Sequence, residues 1–184
     1  QGLVCAFDIR QENISEADSA NPGYFRQVQG IRSTGLEVNL NFRLIDRWLA
    51  FGSYTYVDAR EARTSLSQPR QAKDSFTVFN RYTFDSGALK GAFASLGTIY
   101  VGPRHSDRGA NPRNEPTWIA PAFWRFDVIA GYKVPAARGS RFRHDIALKV
   151  KNALNNNRMF FVITQDRYTP DAGREVEFNL TTRF

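Results

Sequence analysis

The stretch Arg174-Glu175-Val176-Glu177-Phe178-Asn179-Leu180-Thr181-Thr182-Arg183-Phe184 sets the strongest constraint on the fold. Val176, Phe178, Leu180 and Phe184 fall on one side, with Thr182 in the same row. Glu175, Glu177, Asn179, Thr181 and Arg183 fall on the other. Period two is the pattern of a strand with one apolar and one polar face. Chain ends in soluble sheets are usually frayed and polar. The last strand of a closed barrel in lipid must instead be fully paired, and an aromatic ring suits its interfacial end. If this stretch is such a strand, the rest of the chain should repeat its alternation.

The chain has 184 residues, 42% of them hydrophobic, with 15 Phe, 7 Tyr and 3 Trp, which is enough for one domain with a sizeable core. Mean hydropathy is −0.45, and no apolar run approaches the roughly 20 residues of a spanning helix. A helical membrane protein is thereby excluded. A barrel is not, because its strands turn half their residues away from lipid. The net charge of +7 comes from Lys and Arg scattered along the chain, so no nucleic-acid partner is expected. The single cysteine, Cys5, excludes an intrachain disulfide and any multi-cysteine zinc site. The chain opens on Gln1 rather than Met, which leads to the expectation of a removed leader or of a piece of something longer.

Taken in order, Leu3, Cys5, Phe7 and Ile9 alternate with Asp8, Arg10 and Glu12 and predict a strand running to about Ile14. Loop composition fills Ser15 to Gly23. Leu36, Val38, Leu40, Phe42 and Leu44 then alternate strictly with polar residues. A turn at Ile45 to Arg47 leads into a strand from Trp48 to Asp58. Ala59 to Ala72 reads as a long polar loop, Phe76 to Phe84 as a strand, and Asp85-Ser86-Gly87 as a short turn. Leu89 to Val101 is a glycine-spaced strand, followed by the longest loop, Gly102 to Ala120. Strands are predicted at Ala122–Tyr132 and Phe142–Leu154, separated by a turn at Val134 to Ser140. The links alternate short and long, with the last long one at Asn155 to Gly173. The result is an all-β antiparallel up-and-down meander of about eight strands.

Alternation does not say whether the apolar face looks into a core or out into lipid. Strands of about 10 to 13 residues suit a tilted crossing. So does the alternation of short turns with long polar loops. Trp48, Tyr54, Tyr56, Tyr82, Trp124 and Tyr132 stand toward strand ends, as in a membrane aromatic girdle.

Several segments together resemble one family. They are Phe7-Asp8-Ile9-Arg10-Gln11-Glu12-Asn13, Gly30-Ile31-Arg32-Ser33-Thr34-Gly35-Leu36-Glu37, Gly52-Ser53-Tyr54-Thr55-Tyr56, Tyr100-Val101-Gly102-Pro103-Arg104, Phe126-Asp127-Val128-Ile129-Ala130-Gly131-Tyr132, Leu148-Lys149-Val150-Lys151-Asn152-Ala153-Leu154, Gly173-Arg174-Glu175 and Phe184. In order and spacing they resemble the C-terminal third or so of a TonB-dependent outer-membrane receptor of the ferric-siderophore type. The resemblance implies that residues 1–184 are an arc of a 22-stranded barrel, lacking the N-terminal plug and the first fourteen strands. It implies a bacterial outer-membrane location with the C-terminus periplasmic. The links at Ser15–Gly23, Ala59–Ala72, Gly102–Ala120 and Asn155–Gly173 would then face outward. A ferric siderophore is the implied cargo, with no covalently bound cofactor. The implied partners are outer-membrane lipid and lipopolysaccharide, the inner-membrane TonB energy-coupling complex through the missing plug, and the barrel-assembly machinery. That machinery would read Phe178, Leu180 and Phe184. Thr182 stands where the family usually has an aromatic residue, and Arg158-Met159-Phe160 replaces a tyrosine-bearing segment.

The expected outward loops carry Arg60, Arg63 and Arg70, then Arg104, His105, Arg108 and Arg113. One reading makes them an electropositive mouth for an anionic iron chelate, with Arg104, His105, Arg108 and Arg113 as its ligand-binding residues. The other makes them solvated loop charges or partners of lipopolysaccharide phosphates. His105 and His144 lie on different elements without a carboxylate at ligand spacing, so no metal site is expected. Asp127 and Asp145 are expected on neighbouring strands facing the lumen, where Arg125, Arg143 and Lys149 point to charge neutralisation rather than acid–base work. No catalytic residue is expected. Cys5 reads as a small hydrophobe on an apolar face. Two alternatives stay open: a self-contained eight-stranded outer-membrane structural or adhesive barrel, and a soluble lipocalin-like binder.

Overall fold

The computed structural model describes residues 1–18, 21–28, 30–62, 65–106, 118–135, 141–156, 159–164, 167–170 and 172–183. The strands in chain order are β1 (Gly2–Gln11), β2 (Ile14–Ala17), β3 (Phe25–Val28), β4 (Ile31–Ile45), β5 (Trp48–Glu61), β6 (Asp74–Thr83), β7 (Ala92–Val101), β8 (Arg104–His105), β9 (Ile119–Ala120), β10 (Phe123–Val134), β11 (Arg143–Lys151), β12 (Met159–Thr164), β13 (Arg167–Pro170) and β14 (Glu175–Arg183). Eight of them form one antiparallel sheet in the order β1-β4-β5-β6-β7-β10-β11-β14. The other six pair as β2–β3, β8–β9 and β12–β13 hairpins within the long links. The meander expected from the sequence is therefore present. Its loops are more ordered than their composition shows.

Directly opposed residues in an antiparallel sheet share a face, so the register assigns both faces. One row runs Val38–Tyr54–Phe76–Tyr100–Trp124. Another runs Phe42–Ala50–Asn80–Leu96–Val128–Val150–Val176, with Leu148–Phe178 and Ile146–Leu180 on the same face. The apolar stripes read on β4, β6, β10, β11 and β14 therefore merge into one continuous surface.

The first strand departs from its sequence reading. Leu3, Cys5, Phe7 and Ile9 stand opposite Asn39, Glu37, Gly35 and Ser33, which places them on the polar face. Val4 and Ala6, opposite Val38 and Leu36, join the apolar one. β1 carries apolar residues at both parities, and the unbroken row of β4 decides which parity faces its own. A one-residue slip would reverse every side chain. Cys5 is exposed beside the Glu37 position rather than set in an apolar face.

Aromatic rings on the polar face help to fix the register. A side chain at Gly35 would collide with the Phe7 ring, and one at Gly131 with the Phe93 ring. An aromatic ring laid across a cross-strand glycine can pin strand register. The Arg81 guanidinium lies 3.8 Å from the Phe93 ring centroid on the other side, a cation–π contact. Beyond β7 the same face turns ionic. Arg125 meets Asp127 at 2.8 Å, Lys151 meets Glu175 at 3.0 Å and Arg183 meets Asp145 at 3.6 Å. At the short-turn rim, Arg47 in the β4–β5 turn pairs with Asp85 in the β6–β7 turn at 2.9 Å.

Little of the molecule is enclosed. Among the described residues Ala120 is the one buried hydrophobic side chain, while Val176, Phe178 and Leu180 are 65%, 66% and 61% exposed. The accessible surface is 13024 Å², against about 9,000 Å² for a compact monomer of this mass. Among the described residues β1 and β14 do not pair with each other, so the sheet stays open. An exposed apolar face of this extent marks a surface made to be covered. The openness argues against a self-contained eight-stranded barrel. Phe178, Leu180 and Leu148 are exposed, so among the described residues they do not line the apolar chamber a lipocalin-like binder would need.

Candidate functional site

Most aromatic residues of the apolar face lie in two belts, with Phe42 in a row between them. Toward the long-link rim, Tyr54, Phe76, Tyr100 and Trp124 sit in one register row across β5, β6, β7 and β10. Phe76 and Tyr100 stack at 5.2 Å between centroids, Tyr100 and Trp124 approach to 4.9 Å, and Trp124 stacks on Phe126 at 6.1 Å. Tyr56 lies one same-face step beyond Tyr54. The Tyr54 hydroxyl donates to Asp74 Oδ1 at 2.7 Å, the apolar-body, polar-tip arrangement of an interfacial tyrosine. Toward the short-turn rim, Trp48 stands opposite Tyr82, whose ring meets Phe84 edge-on at 5.0 Å. Tyr132 stands opposite Ile146. Trp124 and Tyr132 are separated by about 27 Å of strand at ~3.4 Å per residue, or roughly 20 Å along the normal at a tilt near 40°. That approaches the ~25 Å apolar band of outer-membrane barrels. Trp48, Tyr54, Tyr56, Tyr82, Trp124 and Tyr132 thus all stand on the apolar face, with Phe76, Phe84, Tyr100 and Phe126 beside them.

The basic loops are placed less uniformly. Arg104 and His105 form β8, paired to Ala120 and Ile119 of β9. The Arg70 N–H donates to the His105 carbonyl at 2.7 Å, Ser106 N–H to the Trp118 carbonyl at 2.9 Å, and Trp118 N–H to Ser106 Oγ at 3.0 Å. Arg104 is 9% exposed, and its guanidinium carbon lies 5.5 Å from the Phe123 ring centroid. Burial pulls the guanidinium below its usual pKa, yet arginine stays protonated in proteins. Arg104 therefore belongs to the ordered base of this loop rather than to its tip. Arg60 pairs with Asp58 at 2.8 Å and donates to the Ser65 carbonyl at 3.1 Å. Arg63, Arg108 and Arg113 lie outside the described residues.

The paired-carboxylate arrangement does not form. Asp127 and Asp145 share the polar face, but Asp127 is held by Arg125 and by the Asn152 N–H at 2.9 Å, and Asp145 by Arg183. His144 Nδ1 meets Thr182 Oγ1 at 2.9 Å. Among the described residues no group of three His, Cys, Asp or Glu side chains could hold a metal. Also among them, no helix is long and apolar enough to cross a membrane.

One feature escaped sequence reading. Asn152, just past β11, is fully buried with φ 49°. Its amide nitrogen donates to the Asn156 carbonyl and its Oδ1 accepts from the Asn156 N–H, both at 3.0 Å. Asn156 in turn donates to the Trp124 carbonyl at 3.0 Å. An asparagine that tolerates the left-handed region and bonds its own backbone closes this strand end. The available signal in the sequence is the run Asn155-Asn156-Asn157, which opens the link after this strand.

At the chain's other rim, Phe178 and Leu180 of β14 stand on the apolar face opposite Leu148 and Ile146. Phe184 lies outside the described residues.

Residues 5–153 match the family profile described as TonB dependent receptor-like, beta-barrel. The chain is 28% identical over 137 residues to the metal-pseudopaline receptor CntO of Pseudomonas aeruginosa, covering 70% of this chain and 18% of that protein. It is 29% identical over 112 residues to the probable TonB-dependent receptor BfrD of Bordetella pertussis, covering 56% of this chain and 15% of that one. The chain thus spans less than a fifth of the curated relatives it matches. Among solved structures, FpvA of P. aeruginosa in an iron–pyoverdine complex aligns with a TM-score of 0.79 at 18% identity, over 98% of this chain and 24% of its own. The siderophore receptor PiuA of Acinetobacter baumannii aligns at 0.74 and 18% identity, over 99% and 26%. At such identities these structures speak to the fold alone, while the profile covers most of the chain. The chain belongs to the TonB-dependent receptor-like β-barrel family, a family of outer-membrane transport receptors.

Proposed function

We propose that residues 1–184 form the C-terminal wall of the barrel of a TonB-dependent receptor that imports a ferric siderophore across the bacterial outer membrane. The observation that carries this reading is the open eight-stranded sheet, with a continuous apolar face between two aromatic belts and an ionic and aromatic face behind it. Such a sheet needs lipid on one side and further strands at both edges, and an arc of a wide barrel, about 22 strands in all, meets both needs. A relative named as a metal-pseudopaline receptor and a structural neighbour solved with an iron–pyoverdine complex support a ferric chelate as cargo.

In this arrangement the short turns and the C-terminus are periplasmic and the long links face outward. Lipid and lipopolysaccharide cover the apolar face. The barrel-assembly machinery reads the last strand through Phe178, Leu180 and Phe184. An N-terminal plug outside this chain connects to the TonB energy-coupling complex. Arg104 and His105, with Arg108 and Arg113, form part of an electropositive mouth that draws in the anionic chelate. The test is uptake of radiolabelled iron–siderophore by cells carrying the full-length receptor, together with chelate binding to the Arg104→Ala, Arg108→Ala and Arg113→Ala variants. The reading expects TonB-dependent uptake and weakened binding. Unchanged affinity at low salt removes the proposed mouth, and absence of TonB-dependent uptake of any ferric chelate removes the transport reading.

A further inference from the structure

Arg10 on β1, Arg32 on β4 and Arg60 on β5 stand directly opposite one another. The register puts all three on the apolar face. Asp8, Thr34 and Asp58 form the next row toward the band, and Ala6, Leu36 and Tyr56 the row after that. Four positions of strand separate the arginines from the Tyr56 row, about 14 Å at ~3.4 Å per residue. They therefore stand just beyond the long-link aromatic belt, at the depth of lipid headgroups. Like charges directly opposed in a sheet repel, so three guanidinium groups in register need anions.

The chain supplies part of the balance. Arg32 donates to both Asp8 oxygens, at 3.0 and 2.7 Å. Asp58 takes Arg60 at 2.8 Å and Lys73 at 3.1 Å. Arg10 makes no ion pair among the described residues. Arginine carries five N–H donors, and the two on Asp8 leave three of Arg32 for other partners. Beside the row opens a cleft of about 750 Å³, lined among others by Arg10, Glu12, Asn13, Gln27, Arg32 and Ala62.

We propose that this row is a docking site for the phosphate esters of an outer-leaflet lipid headgroup. The guanidinium fork matches phosphate oxygens two at a time. The face decides the source: a cargo passing down the bore meets the opposite side of the sheet, whereas an acyl-anchored phosphate arrives on this one. The nearby carboxylates of Asp8, Asp58 and Glu12 repel small free anions, which favours a phosphate delivered by its own lipid anchor. The proposal rests on the membrane orientation given above.

The test uses the full-length receptor in detergent, titrated with diphosphorylated lipid A, with the same lipid after enzymatic dephosphorylation, and with inorganic phosphate. Substituting all three arginines by Gln is expected to weaken lipid A binding about a hundredfold, and Arg10→Gln alone, which breaks no ion pair among the described residues, about fivefold. Arg143→Gln, on the bore face of β11, should leave binding unchanged. Heat-modifiable migration verifies that each variant is folded, and the single variant keeps the test alive if the triple one fails to fold. Equal affinity for lipid A with and without its phosphates, an unaffected Arg10→Gln receptor, an equal loss in Arg143→Gln, or competition by inorganic phosphate at the lipid's own concentrations overturns the site. Any of these leaves the transport reading standing. A full-length receptor that folds and stays dispersed without detergent would overturn both.

Discussion

The assignment of faces makes a quantitative prediction at Val128. This residue lies four positions from Trp124 and four from Tyr132 on β10, midway between the two belts, opposite Leu96 and Val150 on the apolar face. It is 39% exposed. Val128→Arg places a guanidinium at the depth where lipid-facing cations cost most, about 2–4 kcal/mol. Each 1.36 kcal/mol is tenfold in an equilibrium constant, so the folding constant should fall by about 30- to 900-fold. The control is Asn179→Arg on the polar face of β14. There Asn179 donates to Glu177 Oε1 at 3.0 Å, and an arginine would exchange that hydrogen bond for an ion pair, a change expected within about 0.5 kcal/mol of wild type. Both substitutions add the same charge to the same barrel, so their difference isolates the face. The assay is a urea titration of the full-length receptor refolded into liposomes, followed by heat-modifiable gel migration. A Val128→Arg receptor as stable as wild type, or an equal loss in Asn179→Arg, would refute the reasoning.

Two further predictions concern the packing that fixes the register. Gly131→Val drives a side chain into the Phe93 ring and the Ile146 carbonyl and should destabilise the barrel by about 1–3 kcal/mol. Adding Phe93→Ala should recover part of that loss, and a double-mutant cycle with strictly additive effects would contradict the ring-on-glycine contact. At the β11 end, Asn152→Ala should cost more than Asn152→Gly by about 1 kcal/mol. Both lose the Asn156 hydrogen bonds, but glycine alone keeps the left-handed backbone without strain. Equal losses in urea titration, or equal proteolysis of the following link, would show that backbone conformation is not what Asn152 supplies.

What could be read from the sequence follows from how one-sided each strand is. β4 from Leu36 to Leu44 and β14 carry bulky apolar residues at a single parity, so their faces were plain. β1 has Leu3, Val4, Cys5, Ala6 and Phe7 in succession, and only pairing with β4 decides which of them meet lipid. Phe51, Phe79 and Phe93 sit on the polar face, with Phe51 opposite Phe79, Phe79 opposite Gly97 and Phe93 opposite Gly131. A glycine on another strand gives no local sign that it will seat a ring. The hairpins β2–β3, β8–β9 and β12–β13 are built from strands of two to six residues, too short for periodicity to separate from loop composition. Arg104 illustrates the consequence. Its neighbours read as a proline-interrupted polar loop, yet pairing with Ala120 folds it against Phe123. The alignment of Arg10, Arg32 and Arg60 likewise exists only once two registers are known.

The central claim is that the even-numbered side chains of β10 meet lipid and the odd-numbered ones line the bore. Nitroxide labels placed singly at positions 124 to 132, in a full-length receptor whose Cys5 has been replaced by serine, measure this directly in liposomes. Collision with dissolved oxygen should peak at 126, 128 and 130, and collision with a water-soluble nickel chelate at 125, 127, 129 and 131. The opposite phase, or no alternation along the strand, would contradict the account.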